Sequence, residues 1–384
     1  MLASILRAAG YRTGLYTSPH LLSFTERIRV DGTSIGEAEV VELTAVLSAA
    51  CAGRFAEEPA PPPEGALPHP TFFELTTAMA FLHFLRQGVE IAVIEVGLGG
   101  RLDATNAIRP RAVLLTNVGF DHREYLGGTL GEIAAEKAGI IKPGVPVLTG
   151  AEGEALELFR RVAAERGAPL LSVAETHGWR LRDSGAGGTG FDLSGPAGRY
   201  EALRIPLAGR HQLLNAVLAV AGAETLAGQG FPCGEPAVRA GLAAVRWPGR
   251  LQVVPGSPRL FLDGAHNPPG AATLGEFLAE QRPRLGRLVL VFGVLKDKEW
   301  RAMLPHLFPL ADAVVLTKPP SERAEEPAAI RSAYPGMENL RVEADVARAI
   351  ALARVMAGPE GTVVVTGSLY TVATAIRALG LPVA

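Results

Sequence analysis

Two short apolar runs, each stopping at a titratable side chain, constrain this chain more than any other feature. Val89-Glu90-Ile91-Ala92-Val93-Ile94 ends at Glu95 and leads into Val96-Gly97-Leu98-Gly99-Gly100. Ala112-Val113-Leu114-Leu115-Thr116-Asn117-Val118-Gly119-Phe120 ends at Asp121-His122, and a helical stretch carrying Glu136-Lys137-Ala138-Gly139-Ile140 follows. Apolar runs of this length, bounded by glycine and polar residues, read as buried strands. An unpaired carboxylate at the end of a buried strand is costly, so Glu95 reads as a ligand rather than a turn cap. His122, taken alone, fits a satisfied core histidine equally well.

Ligands of open parallel sheets bind beyond the carboxyl ends of the strands. Ser18, Glu95, His122 and Asp263 stand at such ends. A hydroxyl, a carboxylate and an imidazole suit Mg²⁺ held beside substrate phosphates, although the imidazole leaves Zn²⁺ or Mn²⁺ open. Ser18 before Pro19, taken alone, is more often just a turn residue. Lys137 follows closely. A lysine beside divalent cations falls below its ordinary pKa of about 10.4, and a neutral amine can take up CO₂ as a carbamate, an anionic oxygen ligand. Gly97-Leu98-Gly99-Gly100 after a strand invites a dinucleotide reading. Leu102 stands where the third glycine is needed, and Asn106 and Pro110 interrupt the helix that should follow.

The rest of the chain alternates in the same way. Helices are expected at Leu2–Ala9, Glu37–Ala52, Thr71–Arg86, Thr129–Ile141, Glu154–Arg166, His211–Ala227 and Pro236–Val245. Strands are expected at Tyr11–Thr17, Phe24–Val30 and Val145–Thr149. Glu57–Pro70 is a Pro-rich loop, and Ser184–Tyr200 a Gly-rich hairpin excursion. After Arg246-Trp247-Pro248-Gly249-Arg250 the pattern restarts, with strands at Leu260–Leu262, Leu288–Phe292, Ala313–Leu316 and Thr362–Thr366. The expected class is α/β with parallel, doubly wound sheets. Because 384 residues exceed a single core, two domains are expected, 1–246 and 247–384.

A net charge of −2 and no basic run argue against a nucleic-acid partner. No apolar stretch reaches the ~18 residues of a membrane span, and Met1-Leu2-Ala3-Ser4-Ile5-Leu6-Arg7 lacks the basic region of a signal peptide. Cys51 and Cys233 make neither a disulfide framework nor a thiolate metal site. A cytoplasmic monomer is expected. Arginine is abundant and lysine is confined to Lys137, Lys142, Lys296, Lys298 and Lys318. A position that keeps lysine against that bias is a candidate for needing a primary amine.

Several segments together resemble the folylpolyglutamate synthase/dihydrofolate synthase family of the Mur ligase superfamily. They are Ser18-Pro19-His20-Leu21 with Glu26-Arg27-Ile28, Glu95 to Asn106, Asp121-His122 with Leu126-Gly127, and Glu136-Lys137-Ala138-Gly139-Ile140. Gly209-Arg210-His211-Gln212-Leu213-Leu214-Asn215-Ala216, Trp247-Pro248-Gly249-Arg250, Asp263-Gly264-Ala265-His266-Asn267-Pro268 and Gly367-Ser368-Leu369-Tyr370 continue the match in order. The resemblance implies a P-loop-type ATPase domain followed by a smaller Rossmann-like ligase domain, with the site in the cleft between them. It implies Mg²⁺ on Ser18, Glu95, His122 and a carbamylated Lys137. It places Asn215, Arg250, Asp263 and His266 at ATP, and gives catalytic roles to Lys137, His122 and Arg250. It puts Thr71, Phe72, Phe73, Glu74, Leu102, Asp103 and Ala104 at a pterin pocket. The implied reaction is ATP-dependent joining of L-glutamate to a folate-type substrate, dihydropteroate or tetrahydrofolate polyglutamate, through an acyl phosphate. Another Mur-superfamily amide ligase and a catalytically dead folate- or nucleotide-binding protein are the competing readings.

The resemblance breaks at one point. The family's Gly-rich phosphate loop ends in Gly-Lys-Ser/Thr, and the chain contains no Gly-Lys pair. In relatives that loop opens the helix whose tail matches Leu2–Ala9. The first strand and loop are therefore expected upstream of Met1, through a start placed too late. Loss of a single oxyanion donor elsewhere costs about 10²–10³ in rate, so the polypeptide as written is expected to be nearly inactive, with an exposed sheet edge.

Overall fold

A computed structural model describes residues 1–51 and 70–382; apart from Pro70, the Pro-rich stretch expected at Glu57–Pro70 lies outside the described residues. The first part of the chain builds β1 (Thr13–Tyr16), β2 (Ile28–Val30), β3 (Thr33–Ser34) and β4 (Ile91–Ile94), in the order β3-β2-β1-β4. β1 runs parallel to β4 with Tyr16 opposite Ile94, and antiparallel to β2. β5 (Val113–Leu115), β6 (Val147–Thr149) and β7 (Leu170–Ser172) form a separate parallel sheet. β4 and β5 are each the edge of their sheet. A cavity of about 650 Å³ runs between them, lined by Ile91–Ile94, Val113–Leu115 and the leucines Leu2 and Leu6.

The helix Leu2–Ala8 lies against the helix Glu235–Ala243 at a distance only glycine permits: a Cβ on Gly241 would stand 2.4 Å from the Ile5 Cα. The helix His211–Ala227 forms as expected. It is apolar around nearly its whole circumference and is buried with β6, β9 and the helix Glu235–Ala243, which is how a helix of that pattern must sit.

Two expectations change. The segment Phe24–Val30 is not one strand. Ser23 and Glu26 form a reciprocal capping box, so Phe24–Arg27 closes into a 3₁₀ turn and the strand begins only at Ile28. The excursion is also larger than a hairpin from Ser184 to Tyr200. β8 (Gly178–Gly185), β9 (Gly188–Gly195) and β10 (Gly198–Ile205) make a three-stranded antiparallel sheet. Asp192 binds it together by accepting from Arg180, Arg182 and the Ala202 N–H.

The second unit is a six-stranded sheet of β11 (Gln252–Val254), β12 (Arg259–Leu262), β13 (Leu288–Phe292), β14 (Ala313–Leu316), β15 (Leu340–Val342) and β16 (Thr362–Thr366). Its order is β11-β12-β16-β13-β14-β15. All pairs are parallel except β11–β12. Two apolar layers cover its faces, one around Phe261, Phe292, Trp300 and Phe308, the other around Val363, Val365, Ile350 and Ile376. Continuous apolar runs such as Leu288–Phe292 are what a strand covered on both faces requires. The short edge strands β11 and β15 carried no such run and were not expected from sequence. Among the described residues no helix is long and apolar enough to cross a membrane.

Candidate functional site

Strand register places the first two polar groups. With Tyr16 opposite Ile94, the residues just past the ends of β1 and β4 meet, and the Ser18 N–H donates to Glu95 Oε2 at 2.8 Å. Burial pushes the Glu95 carboxyl above its ordinary range, against the pull of that N–H and of the nearby Arg250 guanidinium. A carboxylate so desolvated gains from a further cation. Ser18, Glu95, Trp247 and Arg250 share a cavity of about 90 Å³ that joins the two units.

The second group lies beyond β5. His122 adopts a left-handed backbone at φ 50° and starts the short helix Arg123–Leu126. A non-glycine residue held there stores strain that the surroundings must hold in place. Lys137, in the last turn of the helix Leu130–Ala138, shares a cavity of about 220 Å³ with Gly97, Gly99, Asp121 and His122. It also lines the large cavity that reaches Glu95. Burial pushes the Lys137 amine below its ordinary pKa, with Asp121 opposing weakly. The loop carrying Gly97–Gly100 can sit on this helix because Gly100 has no side chain: a Cβ there would lie 2.9 Å from the Glu136 carbonyl oxygen.

Arg250 is the hub from the other unit. Its charge acts on Glu95, His211, Asp263 and His266. Asp263, at the end of β12, is buried. It accepts from the Leu251 N–H at 2.9 Å and the Ala265 N–H at 3.0 Å, fixing both the joint and the loop that follows. Its carboxyl is pushed upward by desolvation, and Arg250 opposes the shift. His266 Nδ1 lies 2.9 Å from the Gly264 carbonyl oxygen. Asn215 stands on the first turns of the helix His211–Ala227 and donates to Gln212 at 3.2 Å.

The residues expected at a pterin pocket divide into scaffold and surface. Thr71 and Glu74 form the capping box of the helix Phe72–Arg86. Asp103 accepts from the Gly97 and Leu98 N–H groups and folds that loop, and Ala104 opens the 3₁₀ turn behind it. Phe73 packs beneath Gly97, where any Cβ would collide with its ring. Phe72 and Leu102 present exposed apolar surface, 62% and 80% accessible. Phe72 sits edge-on to Phe24 and under the Arg27 guanidinium.

Ser18, Glu95 and Arg250 are thus brought to one cavity, and His122 and Lys137 to another, with Lys137 and Glu95 both lining the large cleft. Among the described residues no three His, Cys, Asp or Glu side chains converge as a metal group, and the expected set contains only one Glu and one His. Sequence reasoning missed four participants. His211 faces Arg250, while Asp121 touches Asn267 and Lys298 across the cleft. Lysine scarcity was the available signal for Lys298, and adjacency to His122 the signal for Asp121.

Residues 53–223 match the Mur ligase middle domain, and residues 249–369 match the Mur ligase glutamate ligase domain. The dihydrofolate synthase/folylpolyglutamate synthase of Bacillus subtilis is 37% identical over 314 residues, 81% of this chain and 71% of that protein. The Mycobacterium tuberculosis folylpolyglutamate synthase complexed with ADP and AMPPCP is 34% identical, with a TM-score of 0.91 over 100% of this chain and 88% of that one. Escherichia coli FolC in complex with DHPP and ADP gives a TM-score of 0.86 at 32% identity, over 99% and 84%. The chain therefore belongs to the folylpolyglutamate synthase/dihydrofolate synthase family of Mur ligases.

Proposed function

We propose that this chain carries the site of an ATP-dependent ligase joining the α-amine of L-glutamate to a carboxylate of a folate-type substrate, dihydropteroate or a tetrahydrofolate polyglutamate. The observation that carries the reading is Arg250: a guanidinium from the second unit stands within electrostatic reach of Glu95 in the first and of Asp263 and His266 in its own. A triphosphate in the cleft meets both units at once. The division of labour follows the boundary at 246/247, with residues 1–246 as the ATPase unit and 247–384 as the ligase unit. Both halves of the site lie in one chain, which suits a monomer.

The donor set fits Mg²⁺. Ser18 offers a hydroxyl, Glu95 a desolvated carboxylate and His122 an imidazole, and a carbamate on Lys137 would add a further anionic oxygen; hard oxygen donors predominate. The lowered pKa of Lys137 keeps a larger share of it as the free amine, whose lone pair attacks CO₂ to give the carbamate and release a proton. When bound, the cation neutralises charge on the transferring phosphoryl group.

The protein's own residues do the rest by position. Asn215 and Asp263 orient the nucleotide, Arg250 and His266 face its phosphates, and Phe72, Phe73 and Leu102 offer apolar surface to a flat pterin, held by the Thr71–Glu74 and Asp103–Ala104 scaffolds. ATP phosphorylates the substrate carboxylate, glutamate attacks the acyl phosphate, and the tetrahedral intermediate collapses to amide and phosphate. Such transfers require positioning and charge neutralisation rather than a protein nucleophile. Calorimetry with MgATP, followed by product analysis with dihydropteroate, tetrahydrofolate and a cell-wall precursor, tests the reading. Glutamylation of the pteridine substrates supports it; turnover confined to the cell-wall precursor, or binding with no turnover of any, overturns it.

A further inference from the structure

Asp121 is one of the side chains that join the two units directly. Asn267 Nδ2 donates to Asp121 Oδ2 at 2.7 Å, across 146 residues of sequence. Asn267 has no freedom to turn away: its Oδ1 accepts from the Gly270 N–H at 2.8 Å and caps the helix Pro268–Gln281. Two basic side chains stand behind this bond, the Lys298 ammonium with Nζ 3.8 Å from Asp121 Oδ1 and the His266 imidazole with Nε2 3.9 Å from Oδ2. On the other side, Asp121 Oδ1 accepts from the His122 N–H at 2.9 Å and so bears on the strained backbone of that residue. Arg123 and Glu299 add a second charged contact across the same seam at 3.5 Å. Gly119 faces Pro269 across the same seam, where an added Cβ would lie in ordinary contact at 3.4 Å.

We propose that Asp121 and Asn267 form an inter-domain latch: their hydrogen bond sets how the ligase unit closes on the His122 loop, making both of them positioning residues for the nucleotide site. The latch rests on the proposed ligase reading only in treating the two loops as halves of one site. Its geometry can be tested whether or not glutamate is ever transferred.

Donor and acceptor can be exchanged. Asn267→Asp keeps an N-cap acceptor of equal quality but sets two carboxylates face to face. Asp121→Asn combined with Asn267→Asp restores the bond with its direction reversed, and leaves one negative charge between Lys298 and His266. The measurements, on residues 1–384, are hydrogen exchange of segments 117–126 and 264–271 and binding of MgAMPPCP by calorimetry. Loss of a charge-assisted hydrogen bond predicts about 10- to 100-fold weaker binding for Asn267→Asp. Exchange is expected to rise in both segments, and the double variant is expected to recover both readouts. A single variant that exchanges and binds like the parent overturns the latch, because the helix cap alone would then account for Asn267. A double variant no better than the single one overturns it as well. If MgAMPPCP binds to neither the parent nor the variants, the nucleotide-site reading fails, and the exchange data alone decide the latch.

Discussion

His211 offers a prediction whose size follows from one buried ring. Burial, reinforced by the Arg250 charge, lowers its pKa to about 4, whereas the unfolded chain leaves it near its ordinary value of about 6.5. As pH falls, the unfolded state therefore takes up the proton first. The contribution to stability is complete above about pH 6.5 and is lost progressively down to about pH 4. With those two values, linkage gives a loss of about 2 kcal/mol at about pH 5, rising to about 3 kcal/mol in the acid limit. Urea unfolding of the parent and of His211→Gln, followed by tryptophan fluorescence at about pH 7.5 and about pH 5, isolates this share. The parent should lose about 2 kcal/mol more than the variant between the two conditions. Parallel losses would show that the ring is not held neutral by burial and Arg250, and would remove the reason for placing it at the cleft.

Other consequences follow from single groups. Asp263→Ala leaves the Leu251 and Ala265 N–H groups buried without their acceptor, and at about 1–3 kcal/mol each the cost should be about 2–6 kcal/mol by denaturant titration. A loss below about 0.5 kcal/mol, the scale of a surface change, would contradict that bonding. Gly100→Ala drives a methyl into the Glu136 carbonyl and the Ile140 side chain, each 2.9 Å away, and should cost about 1–3 kcal/mol; an unchanged melting temperature would refute the close approach. Lys137 should give a ¹³C-carbamate resonance after exposure to labelled bicarbonate, and Lys137→Met should lack it. A signal that survives the substitution would assign the carbamate elsewhere.

The readings that succeeded rested on local pattern. The helix His211–Ala227 was legible to its last residue because its apolar face wraps around it. The ends of β1, β4 and β12 were legible because each apolar run stops at a polar side chain, whereas β5 ends at Leu115, well short of the Asp121-His122 at which its run was expected to stop. Phe24–Val30 was misread as one strand because the Ser23–Glu26 capping signal, which the sequence does contain, was passed over. β8 escaped because much of it is exposed and alternates charged residues, Arg180, Arg182 and Asp183, with Trp179 and Leu181. The resemblance implied a cleft between the units, but the residue pairs that close the seam were not legible. Asp121, Asn267 and Lys298 meet only because two separately folded sheets bring their carboxyl ends together, and no periodicity in the chain encodes that docking.

Product mass tests the central claim most directly. The chain is incubated with MgATP, L-glutamate and either dihydropteroate or a tetrahydrofolate, and the pteridine fraction is read by mass spectrometry over an extended time course. The account predicts a product heavier by one glutamyl residue, formed in step with ADP and phosphate, and its loss in Glu95→Gln, His122→Ala and Arg250→Ala. ATP hydrolysis without a glutamylated product, or ligation that survives those three substitutions, would contradict it.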